Sequence, residues 1–133
     1  MHNEANRFSR EISAFFDAYF EGDKLATSYI ELILMVNETG SATQKWIAGK
    51  MNLAPSTITR FIHKLEKQGI VKKEMEGRMA KISLTKKGSK QATALKAKYD
   101  KAESDLIGLL GEKFVDTTRQ LLDHGSEILK KGA

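Results

Sequence analysis

Between Pro55 and Gln68 the sequence places Ser56, Thr57, Thr59, Arg60, His63 and Lys64 so that they share the outward side of a helix, with Ile58, Phe61 or Ile62, and Leu65 on the inward side. Short hydroxyls near the start and longer cations further along are groups that meet phosphate oxygens and base edges in a major groove. An arginine placed like Arg60 can form two hydrogen bonds to a guanine edge. The N-terminus of the helix itself favours a phosphate. A second cationic set follows at Lys72, Lys73, Arg78 and Lys81. Here Arg78 sits beside Gly77 in a candidate turn, and a projecting arginine suits the negative potential of a narrow A·T-rich minor groove. A solvated surface would show the same residue types, so the distribution of charge along the chain has to discriminate.

That distribution is uneven. Of the 133 residues, 1–40 carry a net charge of −4 and 91–133 are neutral, while 41–90 hold twelve Lys and Arg against three acids, a net +9. The whole basic excess lies in the segment that holds the two cationic sets, which makes a field suited to a polyanion. Other chemistries are poorly served. There are no cysteines, which excludes a disulfide scaffold, a thiolate zinc site and a cysteine oxidant sensor. No two of His2, His63 and His124 stand three or four residues apart, so no metal site is expected. Gly108-Leu109-Leu110-Gly111 lacks the lysine and the strand context of a phosphate loop, and Asp100/Glu103 and Glu112/Asp116 read as exposed helix charges. The expectation is a non-enzyme without cofactor. The longest apolar run is broken by Glu31, and Met1–Arg10 is polar and of mixed charge, so the reading is neither membrane-bound nor secreted but cytoplasmic.

The elements that must position these residues follow from periodicity. Phe8, Ile12, Phe15, Phe16, Tyr19 and Phe20 recur at helical spacing over Ala5–Phe20, and Gly22 is a candidate stop. A second helix begins at Thr27 or Ser28, where Ser28-Tyr29-Ile30-Glu31 has the form of a capping box. Its apolar residues cover nearly the whole circumference, which predicts a central, buried helix ending at Asn37–Gly40. Thr43 caps a short helix running to Met51; Asn52 tolerates the turn, and Pro55 opens the next helix, which Gly69 stops. The period then falls to two over Val71–Met75 and Ala80–Leu84, with Glu76-Gly77-Arg78 as the hairpin tip. Thr85 caps a helix to about Leu110, Gly111 interrupts, and a last helix spans roughly Glu112–Lys130. The order is four helices, a hairpin and two helices. The predicted fold is mainly α with a small β-hairpin wing: a winged helix-turn-helix in which Ala48 permits the helix crossing and Ile58 locks the pair. One domain, 1–133, is expected.

The strings Ser56-Thr57-Ile58-Thr59-Arg60, Leu65-Glu66-Lys67-Gln68-Gly69-Ile70-Val71 and Ile82-Ser83-Leu84-Thr85-Lys86-Lys87-Gly88 resemble the MarR family of winged-helix transcription regulators. The specific motifs lie within about residues 43–88. The resemblance implies a homodimer that binds pseudo-palindromic DNA, usually to repress. In it, 27–88 would form the DNA-binding lobe, 1–22 and 89–133 the helical dimerisation region, and Pro55–Gln68 the recognition helix. It also implies a small aromatic or anionic effector, for which Phe15, Phe16, Tyr19, Tyr29 and Trp46 are the candidate crevice residues. Two departures stand out: the family's wing tip is Asp-Arg-Arg-like where this chain has Glu76-Gly77-Arg78, and Trp46 replaces a more commonly polar residue. Three places are open to this only tryptophan, the core, a pocket or the DNA backbone, with core packing the default expectation. Independently of the resemblance, the apolar stripes of the terminal helices (Phe8, Ile12, Phe15, Phe16, Phe114, Leu121, Leu122, Ile128, Leu129) exceed what a small winged helix can cover, and two-fold pairing would remove them from water. The alternative function is a winged helix serving as a protein-interaction module without specific DNA binding, which the acidic first helix and aromatic-rich ends allow.

Overall fold

The computed structural model describes residues 1–132. Among them are α1 (His2–Asp17), a 3-10 segment (Ala18–Asp23), α2 (Thr27–Thr39), β1 (Ser41–Thr43), α3 (Gln44–Met51), α4 (Pro55–Lys67), β2 (Val71–Glu76), β3 (Met79–Leu84), α5 (Lys86–Leu110) and α6 (Glu112–Gly132). The three strands form one antiparallel sheet in the order β1-β3-β2. The architecture is therefore the mainly helical winged helix-turn-helix that the sequence predicts. The chain divides into two compact units, Met1–Tyr99 and the residues from Asp100 onward.

In the first unit, α2 is the centre. Ile30, Leu32, Ile33 and Val36 are buried, with Ile47, Ile58, Ile62, Leu65 and Ile82 closing around them. The all-round apolar pattern of α2 has this physical outcome. The capping box does not form. α2 starts at Thr27, the earlier of the two expected positions, with Ala26 at its N-cap and no side-chain cap of its own. Instead Asp17, at the end of α1, accepts from both the Thr27 amide (2.9 Å) and the Thr27 hydroxyl (2.6 Å). A carboxylate from another helix thus satisfies the first turn, and it faces the positive end of the helix dipole. Nor does Gly22 make the stop: α1 tightens to 3-10 geometry after Asp17, and Lys24 (φ 56°) turns the chain.

The helix-turn-helix forms as its sequence dictates. Asn52 takes the left-handed conformation (φ 57°), with Asn52 N–H donating to Gly49 and Leu53 N–H to Ala48. This closes α3 in a Schellman-type turn. α4 ends likewise, with Gly69 (φ 72°) donating to Glu66 and Ile70 to Leu65. β1 was not anticipated: three residues are too few to show a period, and they become a strand only because β3 pairs with them, Ala42 opposite Ile82.

The hairpin is anchored at its base. Thr85 donates its amide to the Ile70 carbonyl (3.0 Å) and its hydroxyl to the Gly69 carbonyl, while accepting from the Gly88 amide (3.0 Å) as the N-cap of α5. Gly88 lies so close that a Cβ there would stand 2.0 Å from the Ile70 oxygen. The run Thr85–Gly88 thereby fixes the direction of the wing relative to the end of α4. In the second unit, Ala102 and Val115 are buried and Arg119 pairs with Glu103 at 2.8 Å.

Candidate nucleic-acid interface

At about 100° per residue, the buried Ile58, Ile62 and Leu65 define the inner side of α4, and the side directly opposite carries Ser56, Arg60, His63 and Lys67. All four are exposed. The side chains of Arg60, His63 and Lys67 make no ion pair or hydrogen bond among the described residues. The sequence reading named Ser56, Arg60 and His63 and missed Lys67. Its signal was available in the spacing 56, 60, 63, 67, which is one stripe of a helix carried a full turn beyond the residues chosen.

The other three expected members lie on the flanks. Thr57 is half-buried. The Thr59 hydroxyl donates to the Pro55 carbonyl (3.0 Å) and accepts from Gln44 Nε2 at 2.7 Å, which ties the first turn of α3 to the first turn of α4. Gln44 Oε1 is buried with no partner, so this brace is held against an unmet acceptor. Lys64 stands over the ring of Tyr29, 4.6 Å from its centroid, and Tyr29 in turn stacks on Phe61 at 4.1 Å. That cation–π contact draws the ammonium towards α2 and off the centre of the helix face.

The wing separates its cations by face. Pairing sets Lys72 opposite Ser83, Glu74 opposite Lys81 and Glu76 opposite Met79, so Lys72 and Lys81 share a face with both glutamates. Lys72 lies 3.9 Å from Glu74, and Lys81 lies 3.6 Å from Glu76. This face is close to neutral. Lys73 points to the other face with Val71 and Met75 and makes no ion pair among the described residues; the same holds for Arg78. Gly77 (φ 62°) and Arg78 form a two-residue turn between the paired Glu76 and Met79. Positive φ at the first central position is the requirement of a type II′ hairpin turn, which glycine meets without strain. The glycine at the tip therefore serves the turn and leaves Arg78 as the single projecting cation.

The five candidate crevice aromatics fall into three groups. Phe15 touches Phe16 (5.9 Å) and Tyr19 (5.4 Å), and Phe16 reaches Tyr99 (5.3 Å). Tyr29 belongs with Phe61, and Trp46 lies on α3 beside Lys50. Tyr99 was not named from sequence; on a long, mostly polar helix a lone tyrosine gives no periodic signal. Trp46 departs from the expected core position: it is 39 % exposed, because Ile47 and Ala48 already occupy the inner side of α3.

Residues 28–75 match the profile of the MarR family. The match covers 48 of the 133 residues, so the likeness to the family is shown for this segment. It runs from the first turn of α2 to the outer part of β2, and so contains the α4 face and the wing's ascending strand. An HTH-type transcriptional regulator of Bacillus cereus is 28 % identical over 86 residues, covering 65 % of this chain and 54 % of the relative. The chain thus spans about half the length of the curated relatives it matches. Two solved structures share the fold. A mutant MarR from E. coli complexed with operator DNA superposes with a TM-score of 0.81 at 13 % identity, covering 92 % of this chain and 91 % of that one. NadR in complex with 4-hydroxyphenylacetate gives 0.79 at 19 % identity, covering 100 % of each chain. At these identities the likeness to the solved MarR-type proteins is one of fold. No helix among the described residues is long and apolar enough to cross a membrane.

Proposed function

We propose that the chain is a transcriptional regulator of MarR type, a cytoplasmic homodimer that represses by occupying pseudo-palindromic operator DNA. The observation that carries this reading is the outward face of α4, where Ser56, Arg60, His63 and Lys67 stand exposed in one stripe, with the last three free of ion pairs among the described residues. Arg60, at the middle of the stripe, reads base edges, and Lys67 takes phosphate. Arg78 and Lys73 carry the wing's contact, with Lys72 and Lys81 contributing less because each has a glutamate beside it.

The dimer is supported by α6, where Leu121 (64 %), Leu122 (54 %), Ile128 (55 %) and Leu129 (75 %) are exposed. Such a density of large aliphatic side chains on one helix is characteristic of an association surface. The residues 27–88 act as the DNA-binding lobe, and 1–22 with 89–133 as the helical pairing region. Two-fold symmetry sets the two α4 helices about 34–36 Å apart, in successive major grooves. Release by a small aromatic or anionic effector is part of the proposal, supported by the 4-hydroxyphenylacetate carried by NadR. Phe15, Phe16 and Tyr19, which form a ring group with Tyr99, are the residues on which such a ligand would first be sought.

Titration of the protein against a duplex from the DNA upstream of its own gene, and against a scrambled duplex, tests the reading. The specific duplex is bound far more tightly, and if about eight phosphates are contacted the affinity falls with a log–log salt slope near −7. Equal, weak binding of both duplexes overturns it.

A further inference from the structure

Trp46 is the chain's only tryptophan, and it is spent on the surface. It lies on the side of α3 opposite the buried Ile47 and Ala48, with Lys45 and Lys50, both exposed, to either side of it. The Lys50 ammonium is 5.7 Å from the centre of the indole ring, near the outer limit of a cation–π contact. The cation is held beside the ring with its charge still open to solvent. An indole combines a broad apolar face with one N–H donor, a pairing that suits a boundary where apolar and strongly polar surfaces alternate. A sugar–phosphate strand is such a boundary.

The position of α3 supplies the partner. Gln44 Nε2 holds Thr59 at 2.7 Å, so the first turn of α3 is locked beside the first turn of α4, from which Ser56 and Arg60 project. Thr43 fixes the same turn from the other end by accepting from the Trp46 amide at 3.1 Å. With α4 in a groove, the strand bordering that groove runs alongside α3.

We propose that Trp46, flanked by Lys45 and Lys50, is a second contact with duplex DNA, seating one sugar–phosphate strand at the edge of the groove that α4 enters. The indole face packs against deoxyribose, its N–H donates to a phosphate oxygen, and the two lysines add charge. This contact rests on the DNA reading of α4 and goes beyond it by assigning α3 a binding surface of its own. It carries no sequence preference, since sugar and phosphate are the same at every step.

Because Trp46 is the only indole, its emission reports on this one place. A fluorescein-labelled duplex of about 30 base pairs, long enough for two half-sites, is taken from the DNA upstream of the chain's own gene and added to the full chain. Duplex binding is followed by fluorescein anisotropy, and acrylamide quenching of Trp46 is measured in parallel. The expected result is that quenching falls along the same binding curve as the anisotropy rises. Trp46→Ala weakens binding about fivefold per lobe, the size of one net hydrogen bond. It does so equally for specific and scrambled duplexes, with unchanged thermal melting, and Lys45→Ala lowers the salt slope by about 0.9 per lobe. If anisotropy reports a complex while Trp46 stays as open to acrylamide as in the free protein, and Trp46→Ala binds like the parent, the α3 contact is refuted and the α4 reading stands. If no duplex raises the anisotropy at low ionic strength, the α4 reading falls and this contact with it.

Discussion

Gly88→Ala tests the joint between the recognition helix and the wing. The residue is in the first turn of α5, where alanine is favoured over glycine by about 1 kcal/mol. Helix propensity alone therefore predicts a gain in stability. The surroundings predict the opposite. The added methyl would stand 2.0 Å from the Ile70 carbonyl oxygen and 3.0 Å from its carbon, both backbone atoms. To restore ordinary contact the carbonyl must withdraw by about 1.4 Å. It cannot do so freely, because it accepts the Thr85 amide at 3.0 Å. Losing that hydrogen bond costs about 1 kcal/mol, and overpacking adds about 1–3 kcal/mol. Set against the propensity gain, the net destabilisation is about 1–3 kcal/mol, a fall in Tm of roughly 3–15 °C for a chain of this size. Gly108→Ala on the same helix is the control. Nothing lies within 4 Å of a Cβ there, so propensity acts unopposed and Tm rises by about 3–5 °C. Both variants are read by circular dichroism melts at fixed protein concentration. If Gly88→Ala melts at or above the parent, the close approach of α5 to Ile70 is wrong, and with it the account of how the wing is aimed.

Three further outcomes follow from the interface. Arg60→Ala weakens binding of the specific duplex by about 1–3 kcal/mol, the value of a bidentate base contact, while leaving the melting curve in place; a variant that binds as tightly as the parent removes Arg60 from the reading set. Glu74→Gln with Glu76→Gln frees Lys72 and Lys81, so binding strengthens and the salt slope steepens by up to about 2 per lobe; an unchanged slope in anisotropy titrations places the wing's paired face away from DNA. Leu122→Glu with Leu129→Glu puts two charges into the exposed apolar stripe of α6, and sedimentation then shows a shift from dimer to monomer; two species of identical mass with and without the substitutions would place the pairing surface elsewhere.

What could be read from sequence was what repeats or what is locally forced. The all-round apolar pattern of α2, the stop at Gly69, the left-handed Asn52 and the Thr43 cap each depend on a few neighbouring residues, and each stands in the structure. What escaped depends on contacts far along the chain. Asp17 replaces the Ser28–Glu31 capping box from ten residues away. β1 exists only through its pairing with β3, some forty residues on. The site shows the same division. The residue types on α4 are evident, but the contacts of Thr59 with Gln44 and of Lys64 with Tyr29 are not, because those partners lie on other helices. That Glu74 and Glu76 share a face with Lys72 and Lys81 follows from strand register, which is not written in a count of charges.

The glutamates on that face bear on what one lobe can do alone. The cations left without an acid or a ring beside them on α4 and the wing are Arg60, Lys67, Lys73 and Arg78. If Arg60 reads bases while Lys67, Lys73, Arg78 and Lys45 of α3 each meet one phosphate, a single lobe has a salt slope of about −3.6 and two coupled lobes about −7. Between 50 and 200 mM salt the single lobe loses about 150-fold in affinity and the pair about 2 × 10⁴-fold. So steep a loss is tolerable only where the starting affinity is high, and four contacts with one candidate base-reading arginine do not make it high. Duplication does, since the second lobe binds as an intramolecular event once the first is seated. On the proposed reading the leucines and isoleucine exposed on α6 and the few free cations on α4 and the wing belong together: the sparser the contacts of each lobe, the more the affinity depends on coupling two of them. On that reading this chain, with Glu74 and Glu76 beside Lys72 and Lys81, gains its affinity for an operator by binding as a pair.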